Sequence, residues 1–138
     1  MLYHRAYPSE FNHCDPAGIV FYPRYFEMTN HVCENFFREA VGVSYGAMMA
    51  DRSGVPTVRI ETDFRAPTRL GEVLDVTLEV LRLGGTSVTF EIVARGSGAV
   101  RLVATITLVW VKAVDATPVP QAWPEAMRVK LAAYLRQV

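Results

Sequence analysis

Tyr22-Pro23-Arg24-Tyr25-Phe26-Glu27-Met28-Thr29-Asn30-His31-Val32-Cys33-Glu34-Asn35-Phe36-Phe37-Arg38-Glu39-Ala40 places its apolar side chains at three- and four-residue steps. Tyr22, Tyr25, Phe26, Thr29, Val32, Cys33, Phe36, Phe37 and Ala40 form one broad stripe, the pattern of a helix with a single buried face. Arg24, Glu27, Asn30, His31, Glu34, Asn35, Arg38 and Glu39 occupy the other side, and Glu34 precedes Arg38 in the favourable i,i+4 order. Pro23 suits the first helical position and Gly42 the stop. The spacing predicts a helix of about five turns. Tyr25, Phe26, Phe36 and Phe37 read as its core residues.

Immediately before it, His13-Cys14-Asp15-Pro16-Ala17-Gly18-Ile19-Val20-Phe21 sets an acidic side chain in a Pro/Gly turn. Asp-Pro and Gly favour non-helical backbone there. A carboxylate is thereby brought close to the amide end of a helix. Hydrolysis of an activated acyl group needs such a pair: an anionic base or nucleophile, and N–H donors for the oxyanion. Taken alone, Asp15 also reads as a turn residue capping local N–H groups. His13 reads equally as a surface residue beside the turn or as part of a site. Residues 2 to 11 could form a first strand, which Pro8 interrupts.

Beyond the helix and a loop around Ser53-Gly54, the period becomes two. Val58, Ile60, Thr62, Phe64 and Ala66 alternate with Arg59, Glu61, Asp63 and Arg65. Leu74, Val76, Leu78 and Val80 mark a second strand, and Val88, Phe90, Ile92 and Ala94 a third. Val100, Leu102, Ala104, Ile106, Leu108 and Trp110 mark the fourth. Its other face carries Val103, Val109 and Val111, which predicts partial burial there too. Gly84-Gly85 reads as a hairpin turn with positive φ, and Gly96-Ser97-Gly98 as another turn. Pro118, Pro120 and Pro124 break the pattern, and a short helix is expected from Pro124 to about Arg136.

One long amphipathic helix followed by three consecutive hairpin connections is an α+β pattern. The sheet has one apolar face and the helix stripe needs a cover, so a curved antiparallel sheet wrapped around the helix buries both. The polar side of that helix is then left for solvent or for a second subunit.

With 138 residues the chain is expected to be one domain, 1–138. Its hydrophobic fraction of 51% is enough for a core, and fourteen basic residues balance fourteen acidic ones. That balance points to neither nucleic acid nor an anionic membrane as a partner, and weak charge repulsion favours self-association. Cys14 and Cys33 lack zinc-ligand spacing and read as reduced thiols of a cytoplasmic protein. The N-terminus has no signal-peptide pattern. The mostly apolar run 99–111 is too short and too polar to span a bilayer.

Asp15-Pro16-Ala17-Gly18-Ile19-Val20-Phe21-Tyr22-Pro23, the helix after it and the antiparallel strands resemble the hotdog-fold acyl-CoA thioesterases, most of all the 4-hydroxybenzoyl-CoA thioesterase branch. Phe64-Arg65-Ala66-Pro67-Thr68-Arg69-Leu70-Gly71-Glu72 resembles that family's strand-and-turn consensus, and the likeness runs to about residue 112. The resemblance implies a curved sheet around a central helix, and hydrolysis of a small or aromatic acyl-CoA to a carboxylate and free CoA. It implies Asp15 as nucleophile or general base and the Tyr22 backbone N–H as oxyanion donor. Gly18, Ile19, Val20 and Pro23 would surround the thioester. The family's basic run for CoA phosphates is replaced here by Arg82 and Leu83-Gly84-Gly85-Thr86-Ser87, and position 13 is His where the branch has an acid. Arg65, Arg82, Thr86 and Ser87 are the remaining candidates for CoA. Glu27 and Glu34 stand in reserve, because some hotdog enzymes use a helix carboxylate. No metal or redox cofactor is implied; coenzyme A enters as part of the substrate. Homodimers or homotetramers with sites between subunits are implied as well. Two alternatives share the fold: a thioesterase acting on acyl carrier protein thioesters, and a non-catalytic module that binds acyl thioesters.

Overall fold

The computed structural model describes residues 1–137. Strand β1 (Tyr3–Pro8) ends at its proline and leads through a short 3₁₀ turn, Phe11–His13, into the Asp15 loop. Helix α1 spans Arg24–Phe36. It runs on into one π turn, Phe37–Val41, and Gly42 closes it in the left-handed conformation at φ +85°. The wide turn lets two consecutive rings be fully buried. Phe36 packs on Tyr3, Phe90 and Tyr134, while Phe37 packs on Tyr45 and Trp123. A second helix, α2 (Tyr45–Ala50), is capped by the Ser44 hydroxyl, which accepts the Ala47 N–H.

The strands after it are β2 (Ser53–Gly54), β3 (Thr57–Phe64), β4 (Val73–Leu83), β5 (Ser87–Gly96), β6 (Ala99–Val109), β7 (Val111–Val114) and β8 (Thr117–Pro120), and α3 (Glu125–Ala132) follows. Four of them join β1 in an antiparallel sheet of order β1-β4-β5-β6-β3, and β2-β7-β8 form a second, smaller one. Val76, Leu78, Val80, Phe90, Ile92, Ala104, Ile106 and Leu108 project from the large sheet onto Met28, Val32, Cys33 and Phe36 of α1 in one core. Burying each large apolar side chain contributes about 1.5–3 kcal/mol, so this face accounts for the wrapping of sheet around helix.

Several expectations are corrected. Strand β3 is not joined to β4 as a hairpin; it pairs with β6, and β1 takes the free side of β4. Proline and glycine in 65–72 carry the chain across instead. The β4–β5 loop forms, but neither Gly84 nor Gly85 has positive φ. A Cβ at Gly84 would crowd only the Ser87 hydroxyl, at 2.7 Å, which can turn aside. Positive φ falls at Ser97 and Gly98, in the tight β5–β6 turn. Pro118 and Pro120 do not end the strand pattern. They sit in β8, at the edge of the small sheet, where a missing N–H costs no ladder bond. Asn35, on the polar side of the helix pattern, is buried and donates to the His31 carbonyl. The terminal helix ends at Ala132, with Met127 and Leu131 buried. As expected, Val103, Val109 and Val111 are half-buried.

Candidate active site

The loop ahead of α1 is a miniature hairpin. Phe21 N–H donates to the His13 carbonyl at 2.9 Å, Cys14 and Val20 form a bridge, and Asp15 N–H donates to Ile19 at 3.1 Å. Gly18, at φ +78°, makes the reversal, and its N–H returns to the Asp15 carbonyl at 2.9 Å. Asp15 Oδ1 accepts the Ala17 N–H at 2.9 Å, so the carboxylate is partly a local cap. The residue is half-buried. Asp15 lies two residue steps beyond the His13–Phe21 pair, a rise of about 7 Å in extended chain.

His13 is a correction to the surface reading. Only 6% exposed, it accepts the Glu10 N–H through Nδ1 at 2.8 Å and packs on Tyr7. Its ring and carbonyl brace the base of the loop.

At the helix start every donor but one is spent. Phe21, Arg24, Tyr25 and Phe26 N–H groups all donate to backbone carbonyls, and Pro23 has no N–H. The Tyr22 N–H has no acceptor among the described residues. It therefore combines a free donor with the electropositive end of α1. Tyr22 also lines a cleft of about 260 Å³, with Val20, Tyr25, Phe64, Arg65, Ala66 and Pro67. The Tyr22 and Phe64 rings meet edge to face at 5.8 Å, and Phe64 also touches Tyr25 and Phe26. Among the described residues lining the cleft, Arg65 is the only charged one.

The two segments that carry the family resemblance touch one another. Val20 N–H donates to Thr68 at 2.8 Å, Leu70 N–H to Gly18 at 3.0 Å, and Tyr25 Oη to Thr68 Oγ1 at 2.8 Å. Val20, Tyr22 and Arg65 share the cleft, and Gly18 and Ile19 are held against the 68–70 segment beside it; Asp15 and Pro23 stand on the adjoining loop and helix start and do not line it. Arg82, Thr86 and Ser87 do not share it within one chain. They lie at the far end of β4 and the β4–β5 loop, about 30 Å along the strand from Val73. There the Ser87 carbonyl accepts the Trp123 indole N–H, and Thr86 accepts the Trp110 N–H. Glu27 is exposed and paired with Arg24 at 3.0 Å, and Glu34 is exposed.

Sequence reasoning missed Arg101. Its guanidinium is 8% exposed and donates to Pro67 O at 2.8 Å, Glu72 Oε2 at 2.7 Å and Gly96 O at 3.0 Å. The signal was one arginine inside a mostly apolar strand. Gly96 makes room for it, since a Cβ there would stand 3.1 Å from Arg101 Nη2.

A sheet closed around one helix in this way is the hotdog fold, and the chain is a thioester hydrolase. It belongs to the thioesterase-like superfamily, whose family model matches residues 9–131. No curated protein matches the sequence. Among solved structures, a gentisyl-coenzyme A thioesterase is similar at 25% identity and TM-score 0.80, over 95% of this chain and 99% of that one. A Staphylococcus aureus hypothetical protein in complex with CoA superimposes at TM-score 0.89 and 15% identity, over 100% of this chain and 88% of that one. A 1,4-dihydroxy-2-naphthoyl-CoA thioesterase from Synechocystis gives TM-score 0.84 at 16% identity, over 96% of each chain. No helix of the described residues is long and apolar enough to cross a membrane.

Proposed function

We propose that this enzyme hydrolyses a small or aromatic acyl-CoA to a carboxylate and free CoA. The observation that carries the reading is an unspent backbone amide, at Tyr22, in a residue that lines an aromatic cleft at the start of α1. A thioester oxygen placed at that amide gains a hydrogen bond that strengthens as negative charge develops; one such donor is commonly worth about 10²–10³-fold in rate. Asp15 supplies the anion, with Oδ2 left after Oδ1 has capped Ala17. It attacks the carbonyl carbon to give a mixed anhydride that water then opens, or it takes a proton from the attacking water. Either route expels the CoA thiolate and calls on no metal or redox cofactor. Arg65, exposed at the cleft rim, suits a CoA phosphate. The names of relatives that act on gentisyl-CoA and dihydroxynaphthoyl-CoA, and of one that holds CoA, support an aromatic acyl group and this carrier.

The same reading places the site between subunits of a homodimer or homotetramer. Strand β3 is a sheet edge with Val58 60%, Ile60 44% and Phe64 45% exposed, and Phe64 belongs to the cleft. A second copy covering that edge would close the cleft. A cytoplasmic setting agrees with two unpaired thiols.

Release of free thiol over a panel of aromatic and aliphatic acyl-CoAs tests the reading. Turnover of none of them above the buffer rate removes it. Turnover confined to acyl carrier protein thioesters moves the enzyme to the other carrier.

A further inference from the structure

Among the described residues, two buried side-chain polar atoms lack any partner: Arg101 Nε and the Thr62 hydroxyl. Arg101 is accounted for by its three other hydrogen bonds. Thr62 is not. A buried hydroxyl without a partner costs about 1–3 kcal/mol, and a native structure rarely keeps one without a use.

Its position indicates the use. Strand β3 is regular from Arg59 to Phe64, and Ile60, Thr62 and Phe64 lie opposite Ile106, Ala104 and Leu102 of β6. All three β6 residues are buried in the core, so the three β3 side chains share the face toward α1. Phe64 lines the first cleft together with Tyr22. Ile60 lines a second cleft of about 250 Å³, with Phe26, Thr29, Asn30, Cys33, Thr57 and Ile106. Thr62 is the β3 residue between them. Phe26, half-buried, belongs to the second cleft, and its ring stands 6.1 Å from that of Phe64. Each cleft alone is smaller than the roughly 300–1,000 Å³ of small-molecule sites, whereas the two joined fall within that range.

We propose that the two clefts are halves of one acyl groove along α1, partitioned by Phe26, and that the Thr62 hydroxyl is its specificity determinant. This inference rests on the thioesterase reading of the Tyr22 cleft. A flat acyl group with its carbonyl at the Tyr22 amide extends past Phe26 toward Cys33. Thr62 lines neither cleft while Phe26 divides them; with that ring turned aside, a polar ring substituent on the path reaches the Thr62 hydroxyl, which can donate or accept. An acyl group without the substituent leaves the hydroxyl unpaired.

The test compares benzoyl-CoA with its three monohydroxy isomers in wild type, Thr62→Val and Thr62→Ser. Wild type should favour at least one hydroxylated isomer over benzoyl-CoA by about 3–10-fold in kcat/KM, the worth of one hydrogen bond. Thr62→Val should bring that ratio to about one, and Thr62→Ser should restore it. A general structural defect would lower both substrates together and leave the ratio in place. A wild type that does not discriminate, or a ratio unchanged in Thr62→Val, overturns the inference while thioester hydrolysis stands. Calorimetric binding of the corresponding inert thioether analogues gives an independent reading. If nothing is hydrolysed, a hydroxyl-dependent affinity lost in Thr62→Val still supports the groove and sinks only the enzymatic reading; affinity indifferent to the hydroxyl sinks the groove.

Discussion

Arg101 on β6 holds Glu72 across the sheet end, Nη2 to Oε2 at 2.7 Å, and with its other terminal nitrogen holds the Pro67 carbonyl at 2.8 Å. Glu72 in turn accepts the Arg69 N–H at 2.8 Å through Oε1. The backbone between these points is Thr68–Leu70, to which the Asp15 loop is hydrogen-bonded. One ion pair therefore fixes the wall of the cleft and, through it, the loop that carries the carboxylate.

Glu72→Gln should lower stability by about 2–3 kcal/mol, because Arg101 keeps its buried charge and loses the charged partner. For a chain of this size that is roughly 6–12 °C in Tm. A melt within 2 °C of wild type would show that the pair contributes little. Turnover should fall as well, since the cleft wall loses its anchor.

Acid should act through the same contact. The Arg101 hydrogen bond, and then the Arg69 N–H, hold the Glu72 carboxyl below its ordinary range. The Tyr3 hydroxyl, then Arg5, do the same for Glu39. A carboxyl depressed in the folded state stabilises above its unfolded pKa of about 4.3, and this is lost as pH falls through the lower folded value. Base acts in reverse. Burial, then Glu39, push the Tyr3 phenol up to about 12, so its contribution is full below about 10 and lost as pH rises toward 12. Denaturant midpoints between about pH 3 and 11 should form a plateau that falls at both ends, and Glu72→Gln should flatten the acid side.

Asp15→Asn should reduce kcat by about 10²–10⁴-fold with Tm nearly unchanged. The amide oxygen can still accept the Ala17 N–H, so the turn is kept while the anion is removed. Full turnover in this variant would take Asp15 out of the chemistry.

Tyr22→Phe should leave kcat/KM within about threefold of wild type, because the role assigned to this residue belongs to its main-chain N–H. Its exposed ring would still meet Phe21 and Phe64 edge to face. A loss beyond tenfold would mean that the phenol oxygen takes part.

Native protein should show one reactive thiol and denatured protein two. Cys33 is 2% exposed and burial pushes its thiol up to about 12, whereas Cys14 lies half-buried on the loop. Titration with an aromatic disulfide at about pH 8 reads the count. Two fast thiols in the native state would mean that the second cleft opens to solvent down to Cys33.

The neighbourhood of Asp15 was legible because its causes are local. An aspartate two residues before an N–H, a glycine where φ must be positive and a proline at a helix start each act within a turn's length of chain. The stripe from Tyr22 to Ala40 marked α1, although not the π turn at its end, where Phe36 and Phe37 are both buried against Phe90. The short strands β2, β7 and β8 were not legible, since four residues or fewer leave no readable period. Arg82, Thr86 and Ser87 looked equivalent to Arg65 as phosphate ligands. The direction of β4 carried them to the opposite end of the sheet.

The sequence by itself determined the helix, the alternating strands and the turn that offers a carboxylate beside a helix start, because torsional preference and side-chain period need only neighbours along the chain. Only the tertiary structure decided that β3 lies beside β6, that Arg101 grips Glu72 and Pro67, that His13 is buried and that the Thr62 hydroxyl faces α1 without a partner. Each of these depends on groups tens of residues apart, chosen by which apolar faces bury one another once the chain has closed its loops.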